Sequence, residues 1–291
     1  MRISLAIAGM GLGGAQYVMA WLAGALAGRG HAVQLCTFAP PGQAPFFPVP
    51  PSVHMTPLDL TAPSGNPASA VRANLRRIRA LRGAVFGFRS DVAVSFIDQM
   101  NVLCLLALSR RLPVVVSERI TPARHHIGRL WSGLRRLTYP SARALVVQTA
   151  DVASFFPPRV RRRCAMIPNP VLPPPPPNPA APPAPRLPSP CVVGLGRLHP
   201  QKGFDLLLRA FARCRQAHPA WSLRIFGEGP QRPELEALAA ELGLPAAEVF
   251  PGPVSDVPGI LEQTDVFVLP SRFEGFPNAL CQAMAQGVAV V

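Results

Sequence analysis

Apolar runs and chain breakers alternate through the first 38 residues in a way that predicts three elements. Residues 2–8, RISLAIA, are almost wholly apolar and suit a strand buried on both faces. GMGLGG follows, and four glycines in six residues suit a tight turn rather than a helix. Tyr17, Trp21, Leu22, Ala25 and Leu26 then recur at helical spacing until Gly28 and Gly30 stop the pattern, and 32–38 reads as a second strand. A strand–loop–helix–strand unit takes a right-handed crossover and opens a doubly wound parallel sheet.

The rhythm continues. Strands are predicted over 91–97, 113–117 and 144–148, with a helix over 100–108. A helix over 70–85 carries an apolar stripe of Val71, Leu75, Ile78 and Val85, with Arg72, Arg76, Arg79 and Arg82 around it. Another, over 127–137, sets Leu130, Trp131 and Leu134 beside Arg129, Arg135 and Arg136. Between 168 and 190 there are 13 prolines in 23 residues, which predicts an extended, semi-rigid connector. Beyond it, strands at 191–195, 221–226, 248–250 and 266–269 alternate with helices at 204–218, 230–242, 257–263 and from 278 onward. The expected organisation is a Rossmann-like domain over 1–167, the connector over 168–190, and a second Rossmann-like domain over 191–291.

The opening stretch has competing readings. From Ile3 to Gly28 it carries no charge, but its glycines interrupt the roughly 20 apolar residues that a spanning helix needs. One arginine, a short apolar core and the small Ala23 and Ala25 mimic a secretory signal, though the strand–turn–helix pattern accounts for more of the segment. Gly9-x-Gly11-x-x-Gly14 matches the dinucleotide fingerprint. The acidic residue that should hold the ribose about 20 positions later is missing, since no Asp or Glu precedes Asp59. The loop is therefore read as a cradle for an anion or sugar, with Gly13 and Gly14 offering backbone N–H groups at a helix N-terminus.

Charge changes the picture by its placement. The net +14 is confined to one half: 21 basic against 5 acidic residues up to Arg186, and 8 against 10 from Leu187 onward. A compositional bias that also produces 37 prolines accounts for many arginines, but not for their confinement. A basic half implies an anionic partner: nucleic acid, a phosphorylated substrate or an acidic membrane surface. Nucleic-acid recognition asks for aromatics interleaved with the basic residues, and two tyrosines and three tryptophans in the whole chain argue against it. Six scattered cysteines without a C-x-x-C pair, and no histidine at metal-ligand spacing, predict reduced thiols in a cytoplasmic protein and no metal site.

The candidate chemistry lies in the second half. GLGRLHPQKGFDLLLRAF places Gly196, Arg197 and Lys202 in the turn between a strand and a helix. Two cations at such a turn supply charge-assisted hydrogen bonds to a diphosphate without a metal. LPSRFEGFPNALCQAMAQG places Glu274 after a strand, then Gly275, Phe276, Pro277 and the helix start at Asn278. That carboxylate can accept from sugar hydroxyls, while the following amides face a ligand.

These motifs, with LRIFGEGP, VFPGPV and the closing AMAQGVAVV in order, resemble the retaining GT-B glycosyltransferases of the family-4, group-1 type. GMGLGGAQ and IPNPV fit the N-terminal side. The resemblance implies two Rossmann-like domains facing across a cleft, with a nucleotide-diphosphate-sugar donor, a UDP-sugar, bound mainly by the second. It implies that Arg197 and Lys202 hold the diphosphate, that Glu274 and the backbone after it hold the sugar, and that Gly227, Gly252 and Val254 lie near the base. No cofactor or metal is implied, and no Asp-x-Asp occurs. The acceptor, a glycan or a polyprenyl-diphosphate-linked sugar, would meet the first domain, with Gly13, Gly14, Glu118 and His125 on that side. The expected location is cytoplasmic, peripheral on the inner face of the cell membrane.

The sequence departs from the family in two places. Gln282 stands where a second glutamate contacts the ribose; it keeps an acceptor but loses the charge, so weaker donor binding is expected. The family also continues beyond the position of Val291, so an incomplete second domain is expected, and the alternatives to an enzyme are an inactive truncated relative or a basic protein that binds anionic surfaces.

Overall fold

The apolar runs become two parallel sheets. The computed structural model describes residues 1–61, 65–171 and 184–291 and divides into two units, Met1–Asn169 and Pro170–Val291. Positions 172–183 of the predicted connector lie outside the described residues.

In the first unit the order is β1 (Arg2–Ala6), α1 (Gly14–Gly28), β2 (Ala32–Thr37), β3 (His54–Pro57), α2 (Pro67–Gly87), β4 (Val92–Phe96) and α3 (Asp98–Leu108). β5 (Val114–Ser117), α4 (Arg129–Thr138), β6 (Ala144–Val147), α5 (Ala150–Ser154), α6 (Pro158–Arg161) and β7 (Cys164–Met166) complete it. The seven strands pair in parallel in the order β3-β2-β1-β4-β5-β6-β7. Successive side chains of a strand point to opposite faces. Ile3, Leu5, Val33 and Leu35 pack with Val18, Met19 and Ala23 of α1, while Ala6, Cys36, Val114 and Val116 pack with Leu81, Val85, Leu105 and Leu108 of α2 and α3. The order reverses between β1 and β4, which makes their carboxyl ends the topological switch point, the place where open α/β sheets take ligands.

The uncharged opening stretch is thus strand, loop and a 15-residue helix. No helix among the described residues is long and apolar enough to cross a membrane. Two predicted stripes behave differently from expectation. Val71 and Leu75 of α2 are exposed, because the buried contacts of that helix come from Leu81 and Val85, on the part lying over α3. On α4, Leu130 and Leu137 are exposed while Arg135 is buried.

The second unit comprises β8 (Cys191–Leu195), α7 (Phe204–Ala217), β9 (Ser222–Phe226), α8 (Arg232–Glu241), α9 (Ala246–Val249), α10 (Val257–Leu261), β10 (Val266–Phe267), α11 (Asn278–Ala285) and β11 (Ala289–Val290). Its parallel sheet runs β11-β10-β8-β9, with the switch point between β8 and β10. Phe204, Leu208, Leu223, Ile225 and Leu235 fill one face; Cys191, Val193, Ile260, Phe267 and Ala283 fill the other. The strand predicted at 248–250 is instead the one-turn helix α9. The Pro245 carbonyl accepts from the Glu248 and Val249 amides at 2.9 and 3.0 Å, and the sheet contact falls later, as a bridge between Phe226 and Gly252.

Candidate functional site

In the second unit two loops meet at the β8/β10 switch point. The first leaves β8 through Gly196 and Arg197, passes a 3-10 turn over Pro200–Lys202, and enters α7 at Gly203, whose φ of 66° and closeness to the Pro270 carbonyl leave no room for a side chain. The second leaves β10 and runs through Ser271 to Glu274. Hydrogen bonds clasp them together: the Arg272 amide to the Gln201 carbonyl at 2.8 Å, Gln201 Nε2 to the Phe273 carbonyl at 3.0 Å, and the Arg272 guanidinium to both Asp205 oxygens at 2.8 and 2.6 Å. The bidentate fork holds the Asp205 carboxyl below its usual range, hydrogen bonding outweighing the effect of burial.

Held this way, Lys202 Nζ donates to Glu274 Oε1 at 2.6 Å, and Ser271 Oγ donates to the same oxygen at 2.6 Å. Both side chains of the ion pair keep about a fifth of their surface, 21% and 19%. Arg197 is exposed and makes no hydrogen bond or ion pair among the described residues. Gly227 follows β9, where a Cβ would collide with the Gly196 carbonyl oxygen, and its amide donates to the Gly252 carbonyl at 3.0 Å. Gly196, Lys202, Gly227, Gly252 and Glu274 therefore converge at the carboxyl ends of β8, β9 and β10.

Gly275, Phe276 and Pro277 lead into α11, whose first turn at Asn278 has no side-chain cap from Pro277, and Gln282 lies one turn further along. Val254 is half-buried against the core beneath α10. The chemistry available is a cationic turn beside a carboxylate, with backbone donors next to it.

The first unit gathers polar groups at the carboxyl ends of β4, β5 and β6. Glu118 is fully buried; Tyr139 OH donates to its Oε1 at 2.5 Å, and Arg135 Nη1 stands 3.9 Å from that oxygen. Burial pushes its carboxyl up to about 7, against the opposing effects of the Tyr139 hydrogen bond and the Arg135 charge. Asn101 Nδ2 donates to Tyr139 OH at 3.1 Å and to the Ser117 carbonyl at 3.0 Å. Arg119 lies over the Phe96 ring at 3.8 Å and donates to Asn169, and burial lowers its guanidinium to about 10. His125 Nε2 is 3.4 Å from Asp98 Oδ2. Gly13 and Gly14 open α1, which has no side-chain cap.

Sequence reasoning missed Ser271, the Asp205–Arg272 clasp, and the set of Asp98, Asn101, Arg135 and Tyr139 around Glu118. Asp98 carried a usable signal, an acidic residue directly after the predicted strand 91–97; the others acquire their partners only through folding.

Two family profiles match the chain. "Glycosyl transferase 4-like domain" covers residues 13–170 and "Glycosyl transferases group 1" covers 189–291. Over 98% of its length the chain is 28% identical to 77% of a Campylobacter jejuni protein, the GalNAc-alpha-(1->4)-GalNAc-alpha-(1->3)-diNAcBac-PP-undecaprenol alpha-1,4-N-acetyl-D-galactosaminyltransferase. Its fold is similar to sucrose-phosphate synthase from Thermosynechococcus elongatus, with a TM-score of 0.77 at 16% identity over 99% of this chain and 80% of that one. It is also similar to Anabaena HepE in complex with UDP and glucose, with a TM-score of 0.69 at 17% identity over 100% and 80%.

Proposed function

The chain belongs to the group 1, GT4-like glycosyltransferases and has their GT-B fold, and from that premise we propose that it transfers a sugar from a UDP-sugar, with retention of configuration and without a metal, to a hydroxyl of a glycan or polyprenyl-diphosphate-linked acceptor. The observation that carries the reading is the Lys202–Glu274 ion pair at the β8/β10 switch point, with the exposed Arg197 in the same loop after β8. Departure of the nucleoside diphosphate adds a developing negative charge to the two that its phosphates already carry, and Arg197 and Lys202 neutralise it where a metal otherwise would. Glu274 then accepts from sugar hydroxyls, the Gly275 and Phe276 amides donate to the donor, Gly227, Gly252 and Val254 shape the place of the base, and Gln282 accepts from the ribose. Complexes with UDP among the structural neighbours favour a uridine donor. The named acceptor of the Campylobacter relative favours a polyprenyl-diphosphate-linked one.

Such an acceptor resides at a membrane, and the surface of the first unit suits one. Arg72, Arg76, Arg79 and Arg82 on α2, and Arg129 and Arg136 on α4, are exposed together with Val71, Leu75, Leu130 and Leu137. Basic residues beside exposed apolar ones favour reversible attachment to anionic headgroups on the cytoplasmic leaflet.

Turnover of a panel of UDP-sugars in the presence of EDTA tests the reading. Arg197→Ala and Lys202→Ala should each lower kcat/KM by about 2–4 kcal/mol of transition-state stabilisation. Strict metal dependence, or full activity in both variants, refutes it.

A further inference from the structure

At the β1/β4 switch point of the first unit the chain makes a costly turn. Ile97, a β-branched residue, has a φ of 75° and ψ of 140°, a backbone conformation that such residues avoid. It is held there by hydrogen bonds on both sides, from its own amide to the Ser117 carbonyl at 3.2 Å and from the Asn101 amide to its carbonyl at 2.9 Å. The consequence is the placement of Asp98, the first residue of α3. Asp98 is 3% exposed; its Oδ1 accepts from the Gln99 amide at 2.7 Å, and its buried Oδ2 accepts no hydrogen bond among the described residues.

His125 comes from the loop between β5 and α4 and brings Nε2 to 3.4 Å from that Oδ2, while its side chain stays 41% exposed. The 3.4 Å contact falls short of a hydrogen bond, but a carboxylate oxygen can only accept, so a neutral imidazole that closes on it carries its proton on Nε2. Nδ1 is then left with a lone pair, and it has no partner among the described residues. The pair is supported from below, where Glu118 is enclosed by Tyr139 and Arg135 and the strand ends are tied by Asn101. A strained backbone, a buried carboxylate and a partly exposed imidazole thus coincide at the place where parallel sheets take ligands.

We propose that Asp98 and His125 form a hydroxyl-binding pair for the acceptor sugar: Asp98 fixes the proton of His125 on Nε2, and Nδ1 accepts the hydrogen bond of the attacking hydroxyl. His125 touches the acceptor, and Asp98 is a positioning residue that acts through it. The inference rests on the glycosyltransferase reading and goes beyond it, since it names the groups that orient the nucleophile. A latch that merely pins the loop would leave acceptor affinity to other groups.

The test uses the full chain, a UDP-sugar donor and a polyprenyl-diphosphate-linked N-acetylhexosamine as acceptor probe, with UDP affinity measured by calorimetry. His125→Ala, on an exposed side chain, should raise the acceptor KM and lower kcat/KM at least tenfold, with UDP affinity within twofold of the parent, and added imidazole should restore part of the rate. Asp98→Asn keeps the shape but presents an amide, which can donate to Nε2 and stabilise the wrong tautomer, so a loss of similar size is expected. A loss below threefold in His125→Ala overturns the pairing while leaving the enzyme reading intact. So does a loss that leaves the acceptor KM unmoved and finds no rescue by imidazole. A parent protein that neither binds UDP nor transfers sugar overturns the enzyme reading and the pairing together.

Discussion

Replacing Glu274 with glutamine should tighten the binding of UDP while it damages transfer. Lys202 and Glu274 form an ion pair at 2.6 Å, with Ser271 sharing the same carboxylate oxygen. A diphosphate that claims Lys202 must draw it from Glu274 and must also approach that carboxylate charge. At this separation the Coulomb attraction alone is about 3–6 kcal/mol for an effective dielectric constant between roughly 40 and 20. Solvation of the two charges offsets most of it, because each side chain still keeps about a fifth of its surface, so a net pairing of about 1–2 kcal/mol is the working figure. Glutamine removes the charge and keeps the shape, so UDP should bind about 5–30-fold more tightly. Turnover with a UDP-sugar should fall, since a neutral amide accepts more weakly from the sugar hydroxyls. Calorimetry with UDP on the parent, Glu274→Gln, Lys202→Ala and the double variant separates the contributions: the gain should vanish when Lys202 is absent. Unchanged or weaker UDP binding in Glu274→Gln, or a gain that persists without Lys202, refutes the competition.

Gln282→Glu should tighten UDP binding by a modest factor, because a charged acceptor replaces a neutral one on the α11 turn after Asn278; unchanged affinity in the same calorimetric titration removes α11 from the ribose site. Glu118 gives a stability signature with a defined sign. Its folded value of about 7 exceeds the 4.5 of the free acid, so stability is fully present below about pH 4.5 and falls as pH rises to about 7. The fall should approach about 3 kcal/mol if the whole shift is realised. Glu118→Gln should flatten that slope in thermal melts at pH 5 and pH 8, and a parent protein that gains stability relative to the variant over this window contradicts it. Flotation with vesicles containing anionic lipid should show binding that high salt reverses, and converting Arg72, Arg76 and Arg79 together to glutamate should abolish it. Equal binding to neutral vesicles, or none to anionic ones, leaves these arginines as compositional bias.

The amino-acid order alone determined the features that depend on near neighbours. Apolar runs, helical spacing and glycine breakers located most elements within a residue or two, since period and turn chemistry are local properties. Arg197, Lys202 and Glu274 were legible as candidates because each stands in a glycine-bearing loop after a strand. A short run such as 248–250 was not, because Glu-Val-Phe between loop residues reads as a short strand until Pro245 is seen to supply the carbonyl of a helical turn. Tertiary structure decided what lies far apart in sequence. Lys202 and Glu274, 72 residues apart, become partners only because β8 and β10 are neighbours in the sheet. The Asp98–His125 pair likewise depends on β4 lying beside β5. Burial also had to wait for packing: the helical period places Arg135 and Leu137 on one amphipathic α4, but only the elements packed around it bury Arg135 near Glu118 and leave Leu137 in solvent.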